Sequence, residues 1–183
     1  VLEERELAVT RGAHIYAELA GGGSTAGPAG DGRPPTDVDI ARQAIGAAIR
    51  DANRSPHEVD TVFAAGLATP AGDERETDIL ERSFGSRILD MYVTAVSPSV
   101  GYTVGASGAL STVAAAFALA EQTVPPHATY DERDPECALD ITRKPQRDHL
   151  NGAVVAAYGT MGQNAAVLLT THQPEPGDEV ATA

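Results

Sequence analysis

Five histidines, one cysteine and one closely spaced pair of acids are the residues of this chain whose chemistry could go beyond packing. An imidazole titrates near neutrality and both donates and accepts hydrogen bonds, so it could move a proton, ligate a metal or stabilise a developing oxyanion. Spacing argues against the metal. His14, His57, His127, His149 and His172 form no His-x-x-x-His or Glu-interleaved pattern, so each is read as a structural or surface residue and no metal is expected. Cys137 stands alone in an acidic, proline-containing loop, which leaves no intrachain disulfide and no thiolate framework. No base or helix N-terminus lies near it in sequence to activate the thiol, so it is read as an ordinary loop cysteine. Asp73 and Glu76 share one helical turn and could act as a carboxylate pair, but acids at a helix start also answer the dipole, and that is the expected role. The glycines at 21–23 and at 105 and 108 invite a phosphate loop; they lack its Lys-Ser/Thr, and no cofactor is expected. Tyr102 can donate from its phenol, but a phenol is a poor general base at neutral pH.

The elements that must position these groups alternate. Val1-Leu2 reads as a strand remnant, followed by a short helical turn through Leu7 and a Gly12 stop. Ile15–Ala20 reads as a strand, Ser24–Pro35 as a surface loop, and Val38–Asn53 as an amphipathic helix capped by Thr36 or Asp37. Thr61–Ala64 has the continuous apolarity of a buried parallel strand, with a loop over 65–72 and a helix from Asp73 to Phe84 ended by Gly85. Tyr92–Val96 is a strand and Ser97–Tyr102 its turn. Residues 103–120 predict a helix apolar on nearly all sides, hence central and buried, stopped by Pro125-Pro126. Ala153–Tyr158 and Ala165–Leu169 read as an antiparallel pair joined by Gly159–Asn164. This order predicts an α/β layered fold. Residues 1–170 are expected to form one domain, and 171–183, with their prolines and acids, a disordered tail.

Composition narrows the function classes. With 42% hydrophobic residues, no Trp, three Phe and five Tyr, the core must be built from Ala, Val, Leu and Ile. The formal charge is −13, from 13 basic against 26 acidic residues. Too few cations remain to neutralise phosphates, so neither nucleic acid nor an anionic membrane is an expected partner. An acidic carrier protein would also be repelled unless a local Arg patch received it. No stretch is read as reaching the ~20 apolar residues of a membrane span, and the acidic start is not a targeting segment. A reducing, cytoplasmic setting is the expectation, and the missing initiator Met suggests a processed, trimmed or excerpted chain.

Two stretches carry a resemblance. Phe63-Ala64-Ala65-Gly66-Leu67-Ala68-Thr69-Pro70, continuing through Asp73 and Glu76, is similar to the Asn-Ala-His-Gly-Thr-x-Thr-Pro motif of β-ketoacyl synthases. Ser97-Pro98-Ser99-Val100-Gly101-Tyr102, followed by the small residues 105–109, is similar to their Lys-Ser-x-x-Gly-His motif. Supporting segments in order are 10–18, Val124-Pro125-Pro126, 134–140 and Gly162-Gln163-Asn164-Ala165-Ala166. Together they resemble the C-terminal half of a thiolase-like fold, a mixed sheet with a buried central helix. The resemblance runs from Val1 to about Thr170 and implies a missing N-terminal half that would hold the nucleophilic cysteine. Within the family the chain looks most like the chain length factor, the noncatalytic ketosynthase partner of type II polyketide synthases.

The family's two histidine positions hold Ala65 and Tyr102, and its lysine position holds Ser97. No catalytic residue is therefore assigned. The resemblance implies that Thr160, Met161, Thr69 and Leu67 line an acyl tunnel, Thr160 standing where active synthases carry an aromatic gate. The implied partners are a catalytic ketosynthase subunit, an N-terminal half of the fold and, through the complex, an acyl carrier protein. Two other readings stay open: half of a split or excised synthase completed by another chain, and a free-standing thiolase-fold scaffold or acyl-binding protein.

Overall fold

The computed structural model describes residues 1–28, 34, 37–132, 137, 139 and 141–173. Its centre is a five-stranded mixed sheet in the order β1 (Glu18–Ala26), β7 (Gln163–Thr170), β6 (Gly152–Tyr158), β2 (Thr61–Ala64), β3 (Tyr92–Ala95). β2 runs parallel to both β3 and β6, whereas β7 is antiparallel to β6 and to β1. Helices cover both faces, as a parallel centre requires. On one side lie α2 (Val38–Asp51) and α3 (Pro70–Phe84), closing a core of Ile45, Ile49, Val62, Ile79, Leu80, Val154 and Leu168. On the other lies α5 (Ser107–Glu121), packed through Ala115, Ala118 and Leu119 onto Phe63, Val155 and Leu169. Adjacent residues Val62 and Phe63 thus enter opposite cores, which is the period of two of a strand buried on both faces.

Local sequence accounts for most element ends. Asp37 caps α2 by accepting from Ile40 N at 2.9 Å; Thr36, the other candidate, lies outside the described residues. Thr69 caps α3, with Pro70 at its first position, so this helix starts three residues earlier than its acids suggest. Gly85, at φ 58°, ends it. The short α1 (Arg5–Thr10) is followed by Gly12 at φ 67°, while Val1-Leu2 carries no strand. The turn at Ser97 is a four-residue helix, α4 (Ser97–Val100).

Other differences have physical causes. β1 continues through the glycines to Ala26, where a loop was expected, because its backbone keeps pairing with β7 from Glu18 to Ala26. α5 stops before the proline pair: Gln122 adopts a left-handed conformation and the chain enters β4 (Thr123–Val124), which pairs with β5 (Gln146–Arg147). α5 is buried on one side only. Leu110, Val113 and Phe117 form an open apolar stripe, and Phe117 meets Tyr16 edge-on at 5.0 Å between ring centres. Residues 104–121 are, moreover, long and apolar enough by length and composition to cross a membrane, contrary to the sequence reading. Only 22% of that stretch is buried here, so its apolar residues are mostly uncovered among the described residues. The C-terminal segment is held beyond 170: Thr171 N donates to Asn151 O at 3.0 Å and His172 Nδ1 lies 2.6 Å from Glu18 Oε1. Residues 174–183, the rest of the expected tail, lie outside the described residues.

The glycine run has a packing reason. A Cβ on Gly21 would fall on the Ala48 carbonyl and 2.5 Å from Ala52 N, and one on Gly23 on the Ala44 carbonyl and 2.7 Å from Ala48 N. Gly22, between them, would meet nothing within 4 Å. α2 therefore lies backbone to backbone on β1, and two alternate glycines allow it. Gly23→Ala should cost on the order of 3 kcal/mol of stability through overpacking, whereas Gly22→Ala should be neutral or stabilising by a few tenths. Urea melts of the two variants check this; equal midpoints would contradict the contact.

Candidate functional site

The parallel strands β2 and β3 end at one edge of the sheet, and a cleft of about 1080 Å³ opens there. Such crevices beyond the carboxyl ends of parallel strands are where α/β folds bind ligands. Gly66, Leu67, Ser97 and Tyr102 line it, with Asp73 and Glu76 from α3 and His127 from the segment after β4. The two similar motifs, 32 residues apart at Ala65 and Ser97, are joined directly: Ser97 Oγ donates to Ala65 O at 2.7 Å. Tyr102 Oη donates to Tyr158 O at 3.4 Å, and its side chain is 40% exposed at the cleft.

Glu76 organises this end of the sheet. It lies on the buried stripe of α3 with Gly72, Ile79 and Leu80, and its carboxylate reaches across to the end of β2. Ala65 N donates to one oxygen at 2.8 Å and Gly66 N to the other at 3.0 Å. Burial pushes the carboxyl from an ordinary 4.5 to about 7, against the two N–H groups that hold it down; the Asp73 charge adds a smaller upward push. Across from it, the buried Tyr158 hydroxyl is pushed up, first by burial and then by the Glu76 charge, and carries no hydrogen-bond partner among the described residues. Helix-dipole compensation, the role expected for Asp73 and Glu76, therefore applies to Asp73 alone. Burial raises Asp73, while hydrogen bonds from the Ala68 and Thr69 amides and the facing His127 pull it down. His127 is in turn lowered by burial, with Asp73 opposing.

Of the residues singled out from sequence, the fold brings Ser97, Tyr102 and Leu67 to the cleft, while Ala65 is buried between the lining residues Ala64 and Gly66. Thr69 is exposed at the cap of α3, and Thr160 and Met161 sit on the exposed tip of the β6–β7 hairpin, outside the cleft lining. Cys137 packs on α3, its Sγ 3.8 Å from Thr77 Oγ1. His14 stacks edge-on against Tyr16. Sequence reasoning missed His127 and the role of Glu76. The second left a trace: a carboxylate on the same helical stripe as Ile79 and Leu80 is a buried charge in need of partners. Among the described residues no three His, Cys, Asp or Glu side chains gather as a metal site.

The raised Glu76 pKa fixes a pH dependence. The folded chain holds this proton up to about pH 7 and the unfolded chain only to about 4.5. Its contribution is therefore fully present below pH 4.5 and declines as pH rises through 7, by on the order of 3 kcal/mol. Urea titrations between those values should show that decline, and Glu76→Gln should flatten it. An unchanged slope in the variant would mean that Glu76 is ionised at ordinary acid pH.

Residues 16–131 match the family described as beta-ketoacyl synthase, C-terminal domain. The chain is 36% identical over 171 residues to the tetracenomycin polyketide synthase ketoacyl synthase alpha subunit of Streptomyces glaucescens, covering 92% of this chain and 40% of that protein. Among solved structures it is similar to the ishigamide ketosynthase/chain length factor, with a TM-score of 0.87 and 28% identity over 93% of this chain and 42% of that one. It is also similar to AntDE:AntF, a type II PKS acyl-carrier protein in complex with its ketosynthase bound to the hexaketide, with a TM-score of 0.88 and 27% identity over the same shares. The chain thus spans about two fifths of the length of these relatives. As residues 16–131, which include both motif segments, match that domain, the chain belongs to the β-ketoacyl synthase family and carries the C-terminal portion of its thiolase-like fold.

Proposed function

We propose that this chain works as a noncatalytic, chain-length-factor-like part of a polyketide or fatty-acyl ketosynthase complex, shaping the acyl tunnel of a catalytic partner. The observation that carries the reading is what occupies the three positions that resemble the family's histidines and lysine, two in the cleft lining and one buried next to it. Ala65 presents a methyl group, Ser97 is spent on the Ala65 carbonyl, and Tyr102 donates to a backbone oxygen. None of the three can donate a hydrogen bond to a developing enolate while keeping these contacts. The partners in this reading are a catalytic ketosynthase subunit, an N-terminal half of the fold laid on the open stripe of α5, and an acyl carrier protein. An apolar stripe of Leu110, Val113 and Phe117 is the kind of surface such a half would cover. The 36% identity to a ketoacyl synthase alpha subunit favours a second reading, half of a split or excised synthase completed by another chain.

The chain alone should release no carbon dioxide from a malonyl-carrier protein, and Ala65→His should not create turnover. Ala65 is 7% exposed, so an imidazole there meets packed neighbours and lacks the lysine and second histidine of the family. Turnover by the unaltered chain, or by that single variant, would overturn the noncatalytic reading. Thr160, Met161, Leu67 and Thr69 are the proposed tunnel residues. In a complex reconstituted with a catalytic ketosynthase, Thr160→Phe should shorten the products seen by mass spectrometry; unchanged lengths would remove Thr160 from the tunnel.

A further inference from the structure

A second cavity, of about 400 Å³, lies at the edge of the sheet formed by β3. Its lining is apolar at Leu139 and Ile141, aromatic at Tyr92 and Tyr130, and polar at Thr142 and Arg143. Backbone contacts fix this frame. Val93 and Ile141 form a parallel bridge, Thr142 N donates to Val93 O at 2.9 Å, and His127 N donates to Thr142 O at 2.7 Å. The peptide groups of Thr142 are thereby satisfied and the residue is only 4% exposed, yet its hydroxyl has no hydrogen-bond partner. A hydroxyl withdrawn from water and left without a partner destabilises the fold that holds it.

The next residue is a cation without an anion. Elsewhere Arg11, Arg42, Arg54, Arg82 and Arg87 are each bound to a carboxylate of the same chain. Among the described residues, none pairs with Arg143. Its guanidinium lies instead over the Tyr130 ring, 4.7 Å from the centre. Stacking engages the face of the guanidinium and leaves its N–H edge free, while restricting the side chain in advance of any partner.

We infer that this cavity binds a small monocarboxylic acid with a compact apolar body. The Arg143 fork matches a carboxylate, the Thr142 hydroxyl is a donor in want of an acceptor, and Leu139, Ile141 and the tyrosine rings suit the body. Charge limits the ligand to a single negative group. The molecule carries −13, and Asp148 stands beside the cavity, accepting from the Tyr92 hydroxyl at 2.8 Å, so a phosphate or a dicarboxylate meets more repulsion than one arginine offsets. Pre-positioning of Arg143 keeps the ordering cost of binding low, since no internal ion pair has to break. Tyr130, Leu139 and Ile141 line this cavity and the large cleft alike, so an occupant is in contact with one wall of the cleft.

The test titrates the chain with sodium benzoate and follows backbone amides by NMR. Those of Tyr130 and of residues 141–143 should shift and saturate with a Kd on the order of 1 mM, while those of α2 stay in place. Benzyl alcohol keeps the ring without the charge and should bind about fivefold more weakly or worse. Arg143→Gln should weaken benzoate by about the same factor and remove its advantage over the alcohol. Thr142→Val keeps the shape without the hydroxyl; it should weaken benzoate about threefold while the melting temperature holds or rises. A fall in that melting temperature would mean that the hydroxyl is already satisfied and would overturn the assignment. Equal binding of benzoate and benzyl alcohol, unchanged affinity in Arg143→Gln, or tighter binding of inorganic phosphate than of benzoate would each do the same.

Discussion

A carboxylate removed from water and given only two peptide N–H groups is the constraint around which this end of the molecule is arranged. Glu76 joins α3 to the two residues that follow β2, so helix, strand end and turn are tied together. The same turn is held from its other side by Ser97, at the start of the helix that follows β3. Ala65 thus has its N–H and C=O fixed by two different elements, and the cleft floor is rigid without any contribution from the Ala65 side chain. The clamp acts on the peptide group, and the Cβ substituent at this position takes no part in it.

Layering imposes a second constraint. The parallel centre must be covered on both faces, and each cover is achieved differently. On the α2 side the helix approaches until backbone nearly touches backbone, which Gly21 and Gly23 permit and any side chain there would prevent. On the α5 side a helix rich in alanine lies over Phe63 and Val155 and keeps a second apolar stripe turned outward. A chain with so few aromatic side chains can fill its cores only by bringing elements close together, and both devices do that.

How much of this was legible in the sequence follows from which interactions are local. Strand β2, the cap at Asp37, the stop at Gly85 and the β6–β7 pair are set by neighbours in sequence, and they read correctly. The extension of β1 through three glycines did not read, because glycine signals a loop unless one knows that a helix needs the space above it. The end of α5 was read to within one residue, but its stop was assigned to Pro125-Pro126 for a related reason: Gln122 is not a residue whose type announces a left-handed turn, and the Gln122 side chain holds it there through bonds to Leu119 O and Leu150 O, the latter 28 residues away. Of the site, the motif positions could be named, since they are contiguous. His127 could not, because only the fold carries the segment after β4 over Asp73.

The distribution of charge extends the same reasoning to the surface. Most described arginines are neutralised locally by the carboxylate nearest in the fold, so the net charge of −13 is not spread evenly but leaves acids in excess around the cleft. A field of that sign holds anionic groups away from the cleft unless a cationic feature lowers the barrier nearby. α5 lies on the opposite face of the sheet from α3, whose acids line the cleft. The layering that sends Val62 and Phe63 into separate cores therefore also keeps the open apolar stripe of Leu110, Val113 and Phe117 apart from the acidic wall.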